Sequence, residues 1–320
     1  MDIEFHYNII YLLARRTGFE KDEAYILAYS SQYVDDNNLH YYVNFEDGGH
    51  FINEVSQAMD ITKPSVKRQK IYPIFHFIPG DPDSPTARRK DGKTHVLCTT
   101  PDSDNAVYLL NKALETKNLY RIGIALHAYA DTWAHQNFTG TKDKFNAMNA
   151  PWDYLIPNIG HADAGHKPDK VGTKWKDDRL IEELEHIDND TRFLVAAEQI
   201  FQHLWKFKGR GQEELTDAWV KTKKELVTAM QVDNPMEYIE TVRKKAYKKL
   251  CPEMPEYDEK AWRHQAVEKL PFETDYFDKY WAKEGFEQSH WYRFQMAIKA
   301  HRDLALDLLK PLYKQAGLPV

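Results

Sequence analysis

An all-α fold is what this sequence predicts, and two observations carry the prediction. Apolar residues recur at helical spacing through 2–16, 21–36, 104–116 and 119–138, and again through 177–208, 212–231, 235–250, 257–269 and 276–315. Alternating runs of the kind that build half-buried strands are scarce. A third observation bears on function: inside 119–138, His127, Asp131 and His135 stand four residues apart.

Acids near the starts of the first segments, and Ser103 ahead of the third, are helix-entry signals. Residues 44–101 hold much of the proline and glycine, including IPGDPDSP at 78–85, and predict long loops with a short extended pair. Residues 140–175 form a second irregular stretch, and long loops inside a helical protein are commonly functional or tied down by something. Beyond 176 the helical segments are punctuated by Gly209 and Gly211, by Asn234-Pro235 and by Pro252 and Pro255. This organisation divides the chain into a metal-binding helical core, 1–175, and a C-terminal helical extension packed on it, 176–320, or joins the two in one continuous domain. There is no internal repeat and no low-complexity tract.

The 320 residues suffice for a substantial core, and the 13% aromatic content, with 19 Tyr and 8 Trp, argues against disorder. Trp133, Trp152, Trp175, Trp281 and Trp291 are expected mostly in that core. A net charge of -6 gives no electrostatic indication of a nucleic-acid partner. Two cysteines, Cys98 and Cys251, are too few for a disulfide framework and form no CxxC pair. The N-terminal stretch MDIEFHYNIIYLLARRTGF has acids where a signal peptide has bases, and no run approaches the length of a membrane span. The expectation is a soluble, cytoplasmic protein.

On a helix, positions i, i+4 and i+8 fall on one slowly drifting stripe, so His127, Asp131 and His135 project to the same side. Imidazole and carboxylate together suit zinc or another divalent transition ion, and a carboxylate between histidines can bridge two ions. The flanking Ile122, Ile124, Ala125, Leu126, Ala128, Ala130 and Ala134 predict a half-buried helix, where such groups need partners. Candidate partners are His6 in the first helix, Asp35 and Asp36 at the end of the second, His76 in the first irregular stretch, and His161 and His166 in the other.

In this order, His6, Asp35, His76, then His127-x3-Asp131 with later histidines, the chain resembles the zinc-dependent phospholipase C and single-strand nuclease superfamily. The phrases YSSQYVDDN at 29–37 and IGHADAGHKPD at 159–169 also resemble a bacterial family of unknown function placed in that superfamily. The resemblance implies a multi-helix bundle with a trinuclear zinc cluster, in which His6, Asp35, His76, His127 and Asp131 supply two of the metals and Asp131 bridges. Three departures stand out. Secreted members begin with a Trp whose α-amino group and carbonyl bind zinc, whereas residue 1 here is Met1. Their next histidine follows the central Asp by six residues, whereas His135 follows Asp131 by four. Their last ligand pair is replaced by a loop with His161, Asp163, His166 and Asp169.

Helix geometry selects Asp35 over Asp36. Ala24, Ala28, Ser31 and Asp35 share a small-residue face that lets backbones approach, while Tyr25, Tyr29, Gln32 and Asp36 share a bulky one. Asp36 is expected as a supporting partner or a cap. His186, His203, His264, His290 and His301 fit amphipathic C-terminal helices as packed or exposed residues, and His40, His50 and His95 lie in loops without ligand spacing. Glu183-x-x-His186 and Glu287-x-x-His290 match the di-metal bundle signature at a frequency near chance. HExxH, GxSxG, the Walker loop and GxGxxG are absent.

The function expected is that of a metal-dependent hydrolase acting on a small-molecule or other phosphodiester, or a related ester. One to three zinc or other divalent transition ions would be held by His6, Asp35, His76, His127, Asp131, His135, His161 and His166, with Asp131 and His76 closest to the chemistry. The alternative is a non-catalytic helical scaffold or binding protein stabilised by metal. Coordination left open for water separates the two. The sequence specifies neither substrate nor oligomeric state.

Overall fold

The computed structural model describes residues 1–58, 70–148, 158–232, 238–269 and 279–319. Its centre is a helix buried all round, as expected of a chain segment with apolar or small residues on every face. That helix, labelled α5 below, runs over Leu119–Ala134, and every residue from Ile122 to Ala134 is buried. Asn118 starts it, its side-chain oxygen accepting from the backbone N–H groups of Tyr120 (3.0 Å) and Arg121 (3.2 Å).

Around it stand the helices that precede it. A π-helical turn, Glu4–Ile9, continues into α1, Ile10–Thr17, which ends at Gly18 with φ at 99°, a left-handed terminus that suits glycine. Helix α2, Lys21–Asp36, opens with a reciprocal capping box between Glu20 and Glu23. A short helix, α3 (Tyr72–Phe75), ends at His76, and α4 (Asp104–Glu115) is capped by Ser103. Helices α2 and α4 both pack on α5, the α2 contact being the most extensive in the molecule.

The later helices are α6 (Glu182–Glu185), α7 (Asn189–Phe207), α8 (Gln212–Met230), α9 (Ile239–Leu250), α10 (Ala261–Ala266) and α11 (His290–Gln315). Helices α7 and α11 also rest on α5, and α7 touches α1. One cluster of buried side chains takes members from both 1–175 and 176–320, including Phe5, Leu126, Phe193, Trp262 and Trp291. Trp133 and Trp175 are buried, Trp281 is half-buried, and Trp152 lies outside the described residues.

The chain is mostly helical, but the all-α expectation needs correcting by two small sheets. Strands β1 (Tyr42–Asn44) and β2 (His50–Ile52) form an antiparallel hairpin, the short extended pair expected in that region. Strand β1 also pairs in parallel with β6 (Lys279–Ala282), which pairs antiparallel with β5 (Val267–Lys269), giving the order β2-β1-β6-β5. The expected helices 257–269 and 276–315 are therefore shorter: α10 hands over to β5 at Val267, and α11 starts only at Ser289, which caps it. Likewise 177–208 is not one helix. Strands β3 (Lys174–Lys176) and β4 (His186–Asp188) pair with Trp175 opposite Ile187, and α7 begins at the cap Asp188. Tertiary pairing ends α6 after Glu185 and turns His186–Asp188 into strand, which places Trp175 and Ile187 in a second buried cluster with Phe77 and Phe138.

Among the described residues no helix is long and apolar enough to cross a membrane.

Candidate metal centre

Close packing of α2 on α5 assembles the site. A Cβ on Gly123 would lie 2.5 Å from the Leu27 carbonyl oxygen and 2.6 Å from Ser30 Cβ, so only glycine permits this separation. Four residues on from Gly123, His127 reaches the far end of α2, where Asp35 sits one residue before the helix ends. The small face foreseen on α2 is buried, with Ala24, Ala28 and Ser31 fully so. His6 enters from the π-helical turn, a local widening that recurs at functional sites.

These elements bring five of the eight expected residues into two groups that share His127. His6, His127 and Asp131 form one; Asp35, His76 and His127 form the other. Asp131 joins them: its Oδ1 is 3.1 Å from His6 Nε2, while its Oδ2 is 3.2 Å from His127 Nε2 and 3.3 Å from His76 Nδ1. Asp35 Oδ1 stands 3.7 Å from both His76 Nδ1 and His127 Nε2. The rings of His6 and His127 stack at 3.8 Å. His135 caps α5 and turns to a third group with His161 and Asp169. There its Nε2 is 2.9 Å from Asp169 Oδ1, and His161 Nε2 is 3.4 Å from Asp169 Oδ2.

Backbone carbonyls fix which nitrogen of three rings faces inward. His76 Nε2 lies 2.9 Å from the Ser56 carbonyl, His135 Nδ1 2.7 Å from the His76 carbonyl, and His161 Nδ1 2.9 Å from the Gly165 carbonyl. A carbonyl only accepts, so each of these nitrogens carries a proton, and the opposite nitrogen is the one turned to the cluster. Metal-ligating histidines are held in this way. His127 differs: its Nδ1 is buried with no hydrogen-bond partner among the described residues, while its Nε2 faces Asp131 Oδ2 and His76 Nδ1.

Electrostatics prepare the same donor set. Burial lowers the His6 ring to about 3, helped by His127 and the Met1 ammonium, and lowers His127 to about 4 against the pull of Asp131. Both rings are neutral near neutral pH, the form that binds metal. Burial alone would raise Asp131, but His135, the Met1 ammonium, His127 and His6 outweigh it and hold the carboxylate well below its ordinary range. Asp169 is lowered in the same way by His161, the Met1 ammonium and His135. Burial raises Asp35, an effect that His6 and His76 partly offset. Burial opposes a charge on His76, but the Asp131 hydrogen bond and the charges of Asp35 and Asp131 outweigh it and raise the ring. His76 and Asp35 therefore lean towards protons that a bound cation would displace. With the neutral rings of His6 and His127 and the ionised Asp131 and Asp169, this donor set fits one to three divalent transition ions.

The chain belongs to DUF6765. This is a family of unknown function, and its pattern matches residues 1–309. No curated protein and no solved structure matches the chain.

Not every expected residue joins the cluster. His166 is exposed and belongs to none of the three groups; Asp169, three residues on, stands in its place at the end of a 3-10 turn. Asp36 faces away from the centre and accepts from Gln32 Nε2 (3.1 Å) and the Tyr257 hydroxyl. The α-amino group of Met1, the position where secreted members of the resembled superfamily place a zinc ligand, donates to Asp131 and lies 3.4 Å from Asp169 Oδ1. Neither Asp169 nor the Met1 amine has a spacing signal, since both arrive through loops. His95, in the other irregular stretch, lies 3.6 Å from Asp143, outside the three groups.

Among the described residues, the second irregular stretch carries hydrogen bonds of its own. Asn146 accepts from Thr139 N and donates to the carbonyls of Thr139, Thr141 and Asn158. Arg179 pairs with Asp177 at 2.6 Å, donates to the Phe145 and Asn146 carbonyls, and lies 3.9 Å over the Phe138 ring.

Proposed function

We propose that this chain is a metal-dependent hydrolase of phosphodiester or related ester bonds, with zinc or another divalent transition ion as cofactor. Its resemblance to the zinc-dependent phospholipase C and single-strand nuclease superfamily is part of that reading. The observation that carries it is the inward turn of His76, His135 and His161, each locked by a carbonyl, around carboxylates held ionised. A divalent ion bound there supplies a Lewis acid for a phosphoryl or carbonyl oxygen and lowers the pKa of water.

The chain's own residues divide the remaining work. Asp131 offers one oxygen to His6 and the other to His76 and His127, so it holds the two helix-borne groups in register. Among the residues of those groups only Asp35 is appreciably exposed, its side chain at 24%. It forms part of the wall of a cleft of about 740 Å³ that also takes in Asp2, Ile3, Gln32, Asp36 and Tyr257. Asp258 and Glu259 complete an acidic rim. Such a rim attracts cations and repels anionic esters until that charge is balanced, which makes metal uptake a precondition for substrate entry. The alternative, a metal-stabilised scaffold, loses its main motive where hydrogen bonds such as those of Asn146 and Arg179 already close the loop.

The test is hydrolysis by metal-loaded protein of a chromogenic phosphodiester, with phosphomonoester and carboxylic ester counterparts. Activity should rise as pH approaches neutrality, and His76→Ala should lose most of it. Fully metallated protein that cleaves none of the three ester classes would overturn the hydrolase and leave the scaffold.

A further inference from the structure

Arg243 is an arginine of α9, buried to 5% exposure and more than seventy residues away in sequence from any residue of the three groups. Its Nε donates to Glu4 Oε2 at 2.9 Å and its Nη2 to the Val171 carbonyl at 3.0 Å. Tyr247, one turn along the same helix, donates its hydroxyl to Glu4 Oε1 at 3.0 Å. Glu4 precedes His6 by two residues, and Val171 follows Asp169 by two. One guanidinium thus spans the two chain segments that deliver a helix-borne ligand and a loop-borne ligand. The Asp2 N–H donating to the Asp169 carbonyl at 3.1 Å closes the circuit on the other side. Gly172, with φ at 77°, leaves the guanidinium room: a Cβ there would lie 3.0 Å from Nη1.

We infer that Arg243 is a positioning residue for the His135, His161 and Asp169 group, holding Asp169 in register with His6 from the C-terminal part of the chain. This rests on the reading of the three groups as metal sites. A buried ion pair is weak evidence for stability, because desolvation offsets much of its attraction. A planar fork with donors in two fixed directions is well suited to orienting two separate acceptors, and lysine, a single point charge, does not reproduce it. The loop end of the Asp169 segment is held separately, by Asn189 Nδ2 donating to the carbonyls of Lys167 and Lys170 at 2.7 and 2.8 Å. Removing the fork therefore leaves the turn around Asp169 closed but loosens its register against the Glu4–His6 segment.

The experiment compares wild type with Arg243→Met and Arg243→Lys in the full chain. Each is loaded with zinc or with cobalt and titrated against a chelator, and ions per chain, the visible cobalt spectrum and apo-protein thermal unfolding are recorded. Wild type should retain ions in both the helix-borne and loop-borne groups. Both variants should keep the helix-borne ions while affinity at the loop-borne group falls by about 10–100-fold, with the cobalt bands of that group altered. Arg243→Lys, which retains the charge, keeps the comparison meaningful if Arg243→Met does not fold. Wild-type affinity and spectrum in a folded variant would overturn the positioning role alone, as would loss of all ions in step with unfolding. A wild type that binds no ion would overturn the metal reading and this inference together.

Discussion

The two parts of the centre are built differently. His127 and Asp131 project from a helix that is buried all round, and His6, Asp35 and His76 reach them from helical elements packed on it. The other part hangs on the end of that helix at His135 and is completed by His161 and Asp169, half-buried residues at the outer ends of two short 3-10 turns. Helix geometry sets the first; a web of loop hydrogen bonds sets the second. The comparison teaches that the helix-borne groups should be rigid and shared, so that one change damages all of them, whereas the loop-borne group should be separable.

The harshest test of that contrast is Asp131→Ala. Its carboxylate touches His6, His76 and His127 and lies 3.6 Å from His135, so its removal should empty the helix-borne groups. Metal affinity there should fall by about 100-fold or more, since changes merely behind the ligands cost about 10–100-fold. Metal content equal to wild type after dialysis would break the assignment of Asp131 as the shared residue. Next in size is Asp169→Asn, which should cost the loop-borne ion and leave the others, while His166→Ala should cost none. Elemental analysis of both variants decides; loss of metal in His166→Ala would mean that the exposed histidine swings in.

Gly123→Ala probes the spacing between α2 and α5 on which Asp35 depends. The added methyl would meet the Leu27 carbonyl, so denaturant unfolding should show a loss of about 1–3 kcal/mol, together with weaker retention of the helix-borne ions. Unchanged stability would show that the two helices separate more easily than their packing implies.

The smallest effect concerns acid. His301 on α11 is fully buried and stacks on Phe75, behind His76, and burial with nearby Arg121 lowers its pKa to about 3. As pH falls below the ordinary histidine value of 6.5, the unfolded chain takes up a proton that the folded chain refuses until about 3. The stability held by the neutral ring is therefore complete above 6.5 and is lost progressively as pH falls towards 3. Between about pH 7 and about pH 5, His301→Leu should lose about 2 kcal/mol less than wild type, read from denaturant curves at each pH. Parallel pH dependence in the two proteins would remove His301 from the acid response.

What the sequence by itself determined is what repeats along one helix. The bounds of α2, the presence and direction of α5, and the alignment of His127 with Asp131 follow from periodicity and capping, which act over a few residues. The choice of Asp35 over Asp36 followed from side-chain size on two helix faces, and Asp35 is the one that meets His76 and His127. Only the tertiary structure decided the rest. Strand pairing turned helical text into β5 and β6: β6 joins β1 across more than two hundred residues and β5 then pairs with β6, a gain that depends on a partner the local sequence does not contain. Asp169 displaced His166 for a similar reason: in a loop no periodicity fixes direction. The fork of Arg243, the Asp2 hydrogen bond and the cap of Asn189 determine which side chain turns inward.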